Sequence, residues 1–288
     1  MEAHPVSLQC MGTTRKNARC RKYVVVSGIE EPYCHHHVPI KVLENGERVI
    51  PDQICKGVKL DKQQCRQLRK DNYDYCCSQH DPSIKYYSPS LFIVKGLRDN
   101  AERQVAKIHD NRDIYDKTIK ISSLDRWDVQ LDHVVERQCY SYAFVNVARR
   151  VDNEEEMEFL TQYTRDEIVN RYENLGLTLT STNKVKGEAC YLFLDDSLTG
   201  HRVKSFTTNL IEKDINRATS KEICDRMGKT LKLNQRWLDN ESEIPSIELL
   251  RDELQNLYVS MELKTTHFDK GQKYSYLDNA QKFTYFDI

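Results

Sequence analysis

The alternation of hydrophobic and polar residues separates a front part of the chain with few regular elements from a longer part with helices and short strands. The clearest helix is predicted over 246–263, where apolar residues recur three and four positions apart on one face. A second helix is predicted behind the capping box that begins at Thr219. Its apolar face consists of Ile223, Met227, Leu231 and Leu238.

The middle of the chain alternates short strands with helices. Residues 127–135 alternate apolar and polar side chains like a strand with one buried face, and 177–179 predicts a second short strand. Helices are predicted over 100–115, over 139–151 and from a capping box at Thr164 onward. This order of elements predicts an α+β fold.

Composition and the distribution of cysteine change the picture of the front part. The chain has 288 residues, of which 39% are hydrophobic and 30% charged, and no apolar run reaches the about 20 residues that span a bilayer. No hydrophobic signal segment follows Met1, so we expect an intracellular protein of the nucleus or the cytoplasm. Seven of the ten cysteines precede Asp81, and in a reducing compartment such a cluster is typical of a metal site.

These cysteines form an internal repeat. The first copy has the spacing Cys-x9-Cys-x13-Cys-x2-His, and the second has Cys-x9-Cys-x11-Cys-x2-His. Each copy also has a glycine two residues after its first cysteine and a Tyr-Cys dipeptide near its end. Three thiolates and one imidazole form a tetrahedral ligand set for structural Zn²⁺. The predicted ligands are Cys10, Cys20, Cys34 and His37 for one ion, and Cys55, Cys65, Cys77 and His80 for the other.

Two positions in this ligand set stay open from the sequence. Cys76 can take the place of Cys77, and His35 or His36 can take the place of His37. The repeat resembles the short three-cysteine, one-histidine modules of the plant WRC type, although the tryptophan of that signature is absent. Each copy holds too few apolar residues for a core of its own, so zinc is expected to supply the folding energy of these two zinc knuckles.

The charge of the front part admits two kinds of partner. The whole chain has a net charge of −1, but its first 80 residues hold 13 lysines and arginines against 9 aspartates and glutamates. A docking surface for a protein partner and a contact with nucleic acid are both open interpretations. The basic residues that would contact nucleic acid are Arg15, Lys16, Arg19, Arg21, Lys22, Lys56, Lys59, Lys62, Arg66, Arg69 and Lys70.

A second motif lies between residues 130 and 187. A predicted strand carries an Asp-His pair, and an Asn-Leu-Gly-Leu segment leads later to an Asn that is followed by x-x-Lys-Gly. This pattern resembles the HNH, or ββα-metal, nuclease motif, in which two strands precede a short helix. The residues that carry the resemblance are Asp132, His133, Asn174, Asn183, Lys186 and Gly187.

The resemblance implies a metal-dependent endonuclease that hydrolyses phosphodiester bonds in DNA, with RNA as an alternative. It implies that His133 is the general base and that Asp132 and Asn183 bind one Mg²⁺ or Mn²⁺ ion. Asn174 would hold the loop and His133 in place, and Lys186 would contact a phosphate. The alternative is a non-catalytic nucleic-acid-binding or adaptor protein with a degenerate HNH fold.

The sequence therefore predicts an α+β chain with tandem zinc knuckles, an HNH-like domain and additional helices. The two Cys-x2-Cys pairs that brace many HNH proteins are absent, which keeps the non-catalytic alternative open. No membrane partner is expected. The predicted segments are a first knuckle at 1–42, a second knuckle at 43–81, a linker and helix at 82–118, the HNH-like domain at 119–215, and a helical region with an aromatic tail at 216–288.

Overall fold

A computed structural model describes most of the chain. The described residues are 6–14, 16, 18–26, 33, 34, 36–38, 41, 42, 48–59, 61–125, 127–200, 204–239 and 244–267. Arg15, His35 and the predicted aromatic tail lie outside these residues. The chain divides into two compact units, Met1–Ile84 and Lys85–Ile288. The finer division into five segments stays a prediction.

The first unit is built from short antiparallel strands and turns. β1 (Val6–Gln9) pairs with β2 (Tyr23–Val26), and β3 (Lys41–Val42) pairs with β4 (Arg48–Val49). Among the described residues, the buried cluster of the first repeat consists of three cysteines, with Val24 and Tyr33 packed against them. Cysteines are thus the main buried side chains of this cluster, as expected for a module that folds around metal.

The two copies of the repeat form the same hairpin, with equivalent residues 45 positions apart. The N–H of Cys10 donates to the carbonyl of Lys22 at 2.8 Å, and the N–H of Cys55 donates to the carbonyl of Gln67 at 3.0 Å. In each copy the second cysteine also donates to the carbonyl of the glycine that follows the first. The sequence repeat is therefore a repeat of backbone structure as well.

The second unit combines helices with one small sheet, so the protein is α+β. The sheet pairs β5 (Val129–His133) with β6 (Leu175–Leu179) in antiparallel register, and Asp132 lies opposite Gly176. The described helices are α1 (Leu97–Ile108), α2 (Arg137–Val147), α3 (Glu154–Thr164), α4 (Thr180–Thr199), α5 (Phe206–Glu212), α6 (Arg217–Asp239) and α7 (Pro245–His267). None of them combines the length and the apolar character that a membrane-spanning helix needs.

The two C-terminal helices confirm the predicted amphipathic faces. The predicted apolar residues of α6 are buried, and α6 packs on α7. The helix begins before the predicted capping box because the side chain of Asn216 accepts the N–H of Thr219 at 2.9 Å, as an N-cap does. α7 extends the predicted segment at both ends.

Two predicted helix boundaries are wrong. Thr164 does not start a helix but is fully buried at the end of α3, and the chain continues through a π-helical turn at Arg165–Val169. The helix predicted over 100–115 ends at Ile108, because Asp110 and Asn111 adopt left-handed backbone conformations with φ of 53°. The spacing of apolar residues does not predict either of these helix boundaries.

The sheet is covered on both faces, as the strand alternation requires. Val129, Leu175 and Leu177 pack against α1 in one apolar cluster. The opposite face meets α4 and the segment around Ile114. A Cβ atom on Gly176 would lie 2.4 Å from the Cδ1 atom of Ile114, so only glycine allows that segment to approach the strand so closely. Alternate residues of β5 therefore point toward α4, and Asp132 is among them.

Candidate functional site

The four predicted ligands of the first repeat converge. The nitrogen Nδ1 of His37 lies 3.4 Å from the sulfur of Cys10 and 3.3 Å from the sulfur of Cys34. The sulfur of Cys20 lies 3.9 Å from that of Cys34, and all four ligand atoms lie within 4.8 Å of one another. Ligands at zinc bond lengths of about 2.0–2.3 Å on a tetrahedron are roughly 3.5–3.8 Å apart. The cluster is thus compatible with structural zinc.

The second cluster has the same chemistry, but one predicted ligand is wrong. Its members are Cys55, Cys65, Cys76 and His80. The sulfur of Cys76 lies 3.1 Å from Nδ1 of His80 and 3.8 Å from the sulfur of Cys65. Cys77 is not a member of this cluster, although its sulfur lies 3.9 Å from that of Cys76. The spacing between the third cysteine and the histidine is therefore one residue longer than in the first copy.

A signal for the correct cysteine is present in the sequence. Cys34 follows Tyr33, and Cys76 follows Tyr75, whereas Cys77 follows another cysteine. An alignment of the copies on the Tyr-Cys dipeptide selects Cys76, and an alignment on the Cys-x2-His spacing selects Cys77. The short 3-10 turn before His80 absorbs the additional residue.

In each copy the histidine lies so close to the glycine that any side chain at the glycine position would collide with it. A Cβ atom on Gly12 would lie 2.2 Å from the ring atom Cγ of His37, and one on Gly57 would lie 2.5 Å from Cβ of His80. The N–H of Gly12 also donates to the sulfur of Cys10 at 3.4 Å. Burial opposes ionisation of Cys10, but this bond, the N–H of Cys34 and the side chain of His37 lower the pKa of the Cys10 thiol to about 6. The metal-binding thiolate is therefore favoured at neutral pH.

The predicted nuclease residues lie on consecutive elements. Asp132 and His133 end β5, Asn174 directly precedes β6, and α4, which begins immediately after β6, carries Asn183 and Lys186. The helix α4 packs on both strands. The order of these elements is strand, strand, helix, with a long insertion between the strands.

Asp132 is enclosed by partners from two directions. The ammonium group of Lys186 lies 2.8 Å from its Oδ2 atom, and the hydroxyl of Tyr115 donates to the same oxygen at 2.7 Å. Asp132 is 2% exposed and the side chain of Lys186 is 0% exposed. A second carboxylate, that of Glu136, lies 3.2 Å from the ammonium group. The carboxylate groups therefore face a cation that belongs to the protein.

Lys186 is fully satisfied inside the protein. Its ammonium group donates to the backbone carbonyls of His133 at 2.6 Å and of Val134 at 3.3 Å. Burial alone would lower the pKa of Lys186, but the charges of Asp132 and Glu136 raise it well above its usual value. In this structure the charged group of Lys186 faces these internal oxygens and not solvent, and its contact with a phosphate stays a prediction.

Asn183 does not share a ligand cluster with Asp132 in this structure. Its side-chain amide donates to Oε1 of Gln130 at 2.7 Å, one strand pleat away from Asp132. Among the described residues, the only groups of His, Cys, Asp and Glu that converge as metal ligands are the two zinc-knuckle clusters. A Mg²⁺ or Mn²⁺ site at Asp132 and Asn183 stays a prediction.

His133 has a fixed orientation that depends on Asn170, a residue that sequence reasoning missed. Nε2 of His133 lies 2.9 Å from Oδ1 of Asn170. The amide nitrogen of Asn170 donates to the carbonyls of Phe92 at 3.1 Å and Arg165 at 2.7 Å, so its oxygen must face the imidazole. Nε2 consequently carries the proton, and Nδ1 is the basic nitrogen. Burial lowers the pKa of His133 to about 4, although the Asn170 contact opposes this, so the ring is neutral at pH 7.

Asn174 joins the two ends of the insertion. Its Oδ1 atom accepts the N–H of Val135 at 2.8 Å, and its amide nitrogen donates to the carbonyl of Val169 at 2.8 Å. The side chain is completely buried. These contacts hold the loop after β5, as the resemblance implies for this asparagine, but they reach His133 only through the backbone.

Comparison with known proteins identifies no relative of this chain. Protein-family models, curated proteins and solved structures give no match to this chain. The functional argument therefore depends on the motifs and on the geometry of the two kinds of cluster.

Proposed function

We propose that this chain is a zinc-dependent nucleic-acid-binding protein in which β5, β6 and α4 form a scaffold without nuclease activity. The observation that carries this proposal is the buried ammonium group of Lys186 between Asp132 and Glu136. A nuclease of the HNH type would need the carboxylate of Asp132 as a ligand of a divalent cation. Here the protein's own cation takes that place.

Electrostatics favours the internal cation over an external one. A divalent ion at Asp132 would face the ammonium group of Lys186 at close range in a low-dielectric interior, where like charges repel strongly. Removal of Lys186 from its partners would break a buried ion pair, which costs about 3–5 kcal/mol. Mg²⁺ would in addition have to give up part of its firmly held water shell.

The zinc knuckles supply the binding part of the proposal. Both clusters are closed four-ligand sites, which stabilise a fold and leave no open position for catalysis. Lys16, Arg21 and Lys22 of the first knuckle are exposed, in a region with more basic than acidic residues. Exposed cations on a small rigid module are suited to phosphate groups, which dominate nucleic-acid affinity.

A second candidate function, the metal-dependent endonuclease, is favoured by His133. Its neutral ring and basic Nδ1 atom are the state that a general base needs at pH 7. This candidate requires that Lys186 leaves Asp132 when substrate and metal bind. Both functions predict nucleic-acid binding, and they differ in whether the parent protein nicks DNA.

The deciding experiment combines binding with nicking of supercoiled plasmid. Zinc-loaded protein is incubated with Mg²⁺, Mn²⁺ or Ni²⁺ beside a His133→Ala variant, and nucleic-acid affinity is titrated at several salt concentrations. The proposal expects salt-dependent binding by both proteins and no nicking above that of His133→Ala. Nicking by the parent that His133→Ala loses would establish the endonuclease instead. Absence of salt-dependent binding would favour a protein partner for the knuckles.

A further inference from the structure

The two zinc knuckles share a hairpin but present different surfaces. Tyr23 and Leu68 occupy the same repeat position, and they are 68% and 52% exposed. In the first knuckle, exposed Arg21 and Lys22 directly precede Tyr23. The first knuckle therefore presents an aromatic ring beside two cations, and the second presents an aliphatic side chain.

Three cations of the second knuckle are engaged within the protein, whereas Lys59 and Lys62 are exposed. Lys56 and Arg69 form ion pairs with Asp74 at 2.8 Å and 3.1 Å. Arg66, the counterpart of Arg21, donates to the backbone carbonyls of His36 at 3.2 Å and Val38 at 3.0 Å. These bonds connect the second knuckle to the first within one compact unit. The positive charge of Lys56, Arg66 and Arg69 is therefore already paired with oxygens of the protein.

The first knuckle differs from the second at the position of Asp74, and Glu30 and Glu31 near that position lie outside the residues that the structure describes. When the copies are aligned on their Tyr-Cys dipeptides, Pro32 stands where the second copy has Asp74. Within the part of the chain that the structure describes, no carboxylate pairs with Lys16, Arg21 or Lys22. Exposed cations without such a partner attract an anionic chain most strongly when they are close together.

The exposed ring of Tyr23 decides which anionic chain fits. Bases of single-stranded nucleic acid stack on aromatic side chains while neighbouring lysines and arginines contact the phosphates. In a duplex the base faces are already stacked, and an acidic peptide would need the cations but not the ring. Leu68, at the same position of the second knuckle, offers no aromatic face.

We propose that the first knuckle binds single-stranded nucleic acid, with a base stacked on Tyr23 and phosphates on Arg21 and Lys22. The second knuckle then supports the first through Arg66 and has no aromatic ring at the equivalent position. This inference rests on the nucleic-acid-binding part of the proposed function and is independent of whether the chain has nuclease activity.

The test uses the full zinc-loaded chain and fluorescence anisotropy with labelled twelve-nucleotide oligothymidylate and oligouridylate, a DNA duplex and a polyglutamate peptide. Tyr23→Leu gives the first knuckle the residue of the second and is expected to weaken single-strand binding roughly tenfold, with an unchanged salt slope. Arg21→Gln with Lys22→Gln is expected to flatten the logarithmic salt slope by about 1.4. Leu68→Ala and Lys56→Gln are the matched controls and should leave the affinity unchanged.

Zinc content is measured for every variant, so that a loss of binding is not mistaken for an unfolded knuckle. The inference is overturned if Tyr23→Leu, with both zinc ions retained, binds the single strands as the parent does. Equal loss in Leu68→Ala, or tighter binding of the duplex or of polyglutamate, overturns it as well. If the parent binds no nucleic acid at any salt concentration, it is the proposed function that fails.

Discussion

Two regions of this chain bring ionisable side chains together, and they differ in what balances the charge. In each zinc knuckle three cysteines and one histidine converge. Between β5 and α4, two carboxylates converge on Lys186. The thiolates of the zinc knuckles are suited to an external cation, whereas the carboxylates beside Lys186 already face a cation of the protein.

The comparison also explains why the cysteine repeat predicts a metal site more reliably than the HNH-like motif does. A closed set of soft thiolate ligands has few uses other than metal, particularly when the spacing occurs twice. Carboxylates and amides, by contrast, form hydrogen bonds and ion pairs with many protein groups. Asp132 therefore has two chemically sound environments, a metal site and an ion pair, and its neighbours in space select between them.

The largest expected effect is the loss of zinc. Cys76→Ser should release one zinc ion and unfold the second knuckle, because zinc contributes about 10–16 kcal/mol of apparent binding energy to modules of this kind. Cys77→Ser is the matched control and should retain both ions. Elemental analysis and protease protection measure the two effects. Retention of zinc by Cys76→Ser together with loss from Cys77→Ser would reverse the ligand assignment.

Removal of the internal cation should have the next largest effect. Lys186→Met leaves Asp132 buried without its partner and should lower the free energy of unfolding by about 3–5 kcal/mol. Asp132→Asn added to Lys186→Met should recover part of this loss. Urea denaturation followed by tryptophan fluorescence isolates the second unit, because Trp127 and Trp237 are the only tryptophans of the chain. A change below about 1 kcal/mol would show that the pair is not structural.

A third effect depends on pH. The pKa of His133 is lowered from 6.5 to about 4 by burial, so the unfolded chain binds more protons than the folded one between these values. Stability is therefore lost as the pH falls from about 6.5 to 4, by up to about 3 kcal/mol. His133→Gln should remove this part of the pH dependence. Urea titrations of both proteins at pH 7 and pH 4.5 measure the difference, and parallel curves would refute the shift.

Parts of the fold were predictable because they depend on local periodicity. The apolar faces of α6 and α7 follow from spacing alone, and so do the short strands at 129–133 and 175–179. The end of α1 was not predictable, because it depends on left-handed backbone at Asp110 and Asn111. The π-helical turn after Thr164 was not predictable either, because α3 continues into it without a change in pattern.

The candidate sites also contain residues that the sequence predicts and residues that only the folded chain reveals. The zinc ligands are close in sequence, and the repeat fixes all of them except the choice between Cys76 and Cys77 and the choice of His37 among three consecutive histidines. The environment of Lys186 depends on Tyr115 and Glu136, which reach it from different segments of the chain. The partner of His133 was missed because Asn170 lies in the insertion, and only the folded chain brings the two side chains together.

The smallest expected effect is on the tautomer of His133. Asn170→Ala removes the acceptor of the Nε2 proton, so the ring should become a mixture of tautomers with a loss of about 1 kcal/mol in stability. Nitrogen-15 NMR of labelled histidine distinguishes the two ring nitrogens. Asn183→Ala, which removes a contact to Gln130, is the control and should keep the parent spectrum. An unchanged Nε2 proton in Asn170→Ala would mean that another group orients the ring.

The pairing of β5 with β6 has a consequence for the order of folding. The strands are neighbours in the sheet, but the chain between them contains α2, α3 and the π-helical turn. No tight turn can start this pairing, and closure of a long loop costs entropy before any strand contact forms. We therefore expect the helices of the insertion to form first and the sheet to close late, when Asn174 bonds to Val135 and Val169.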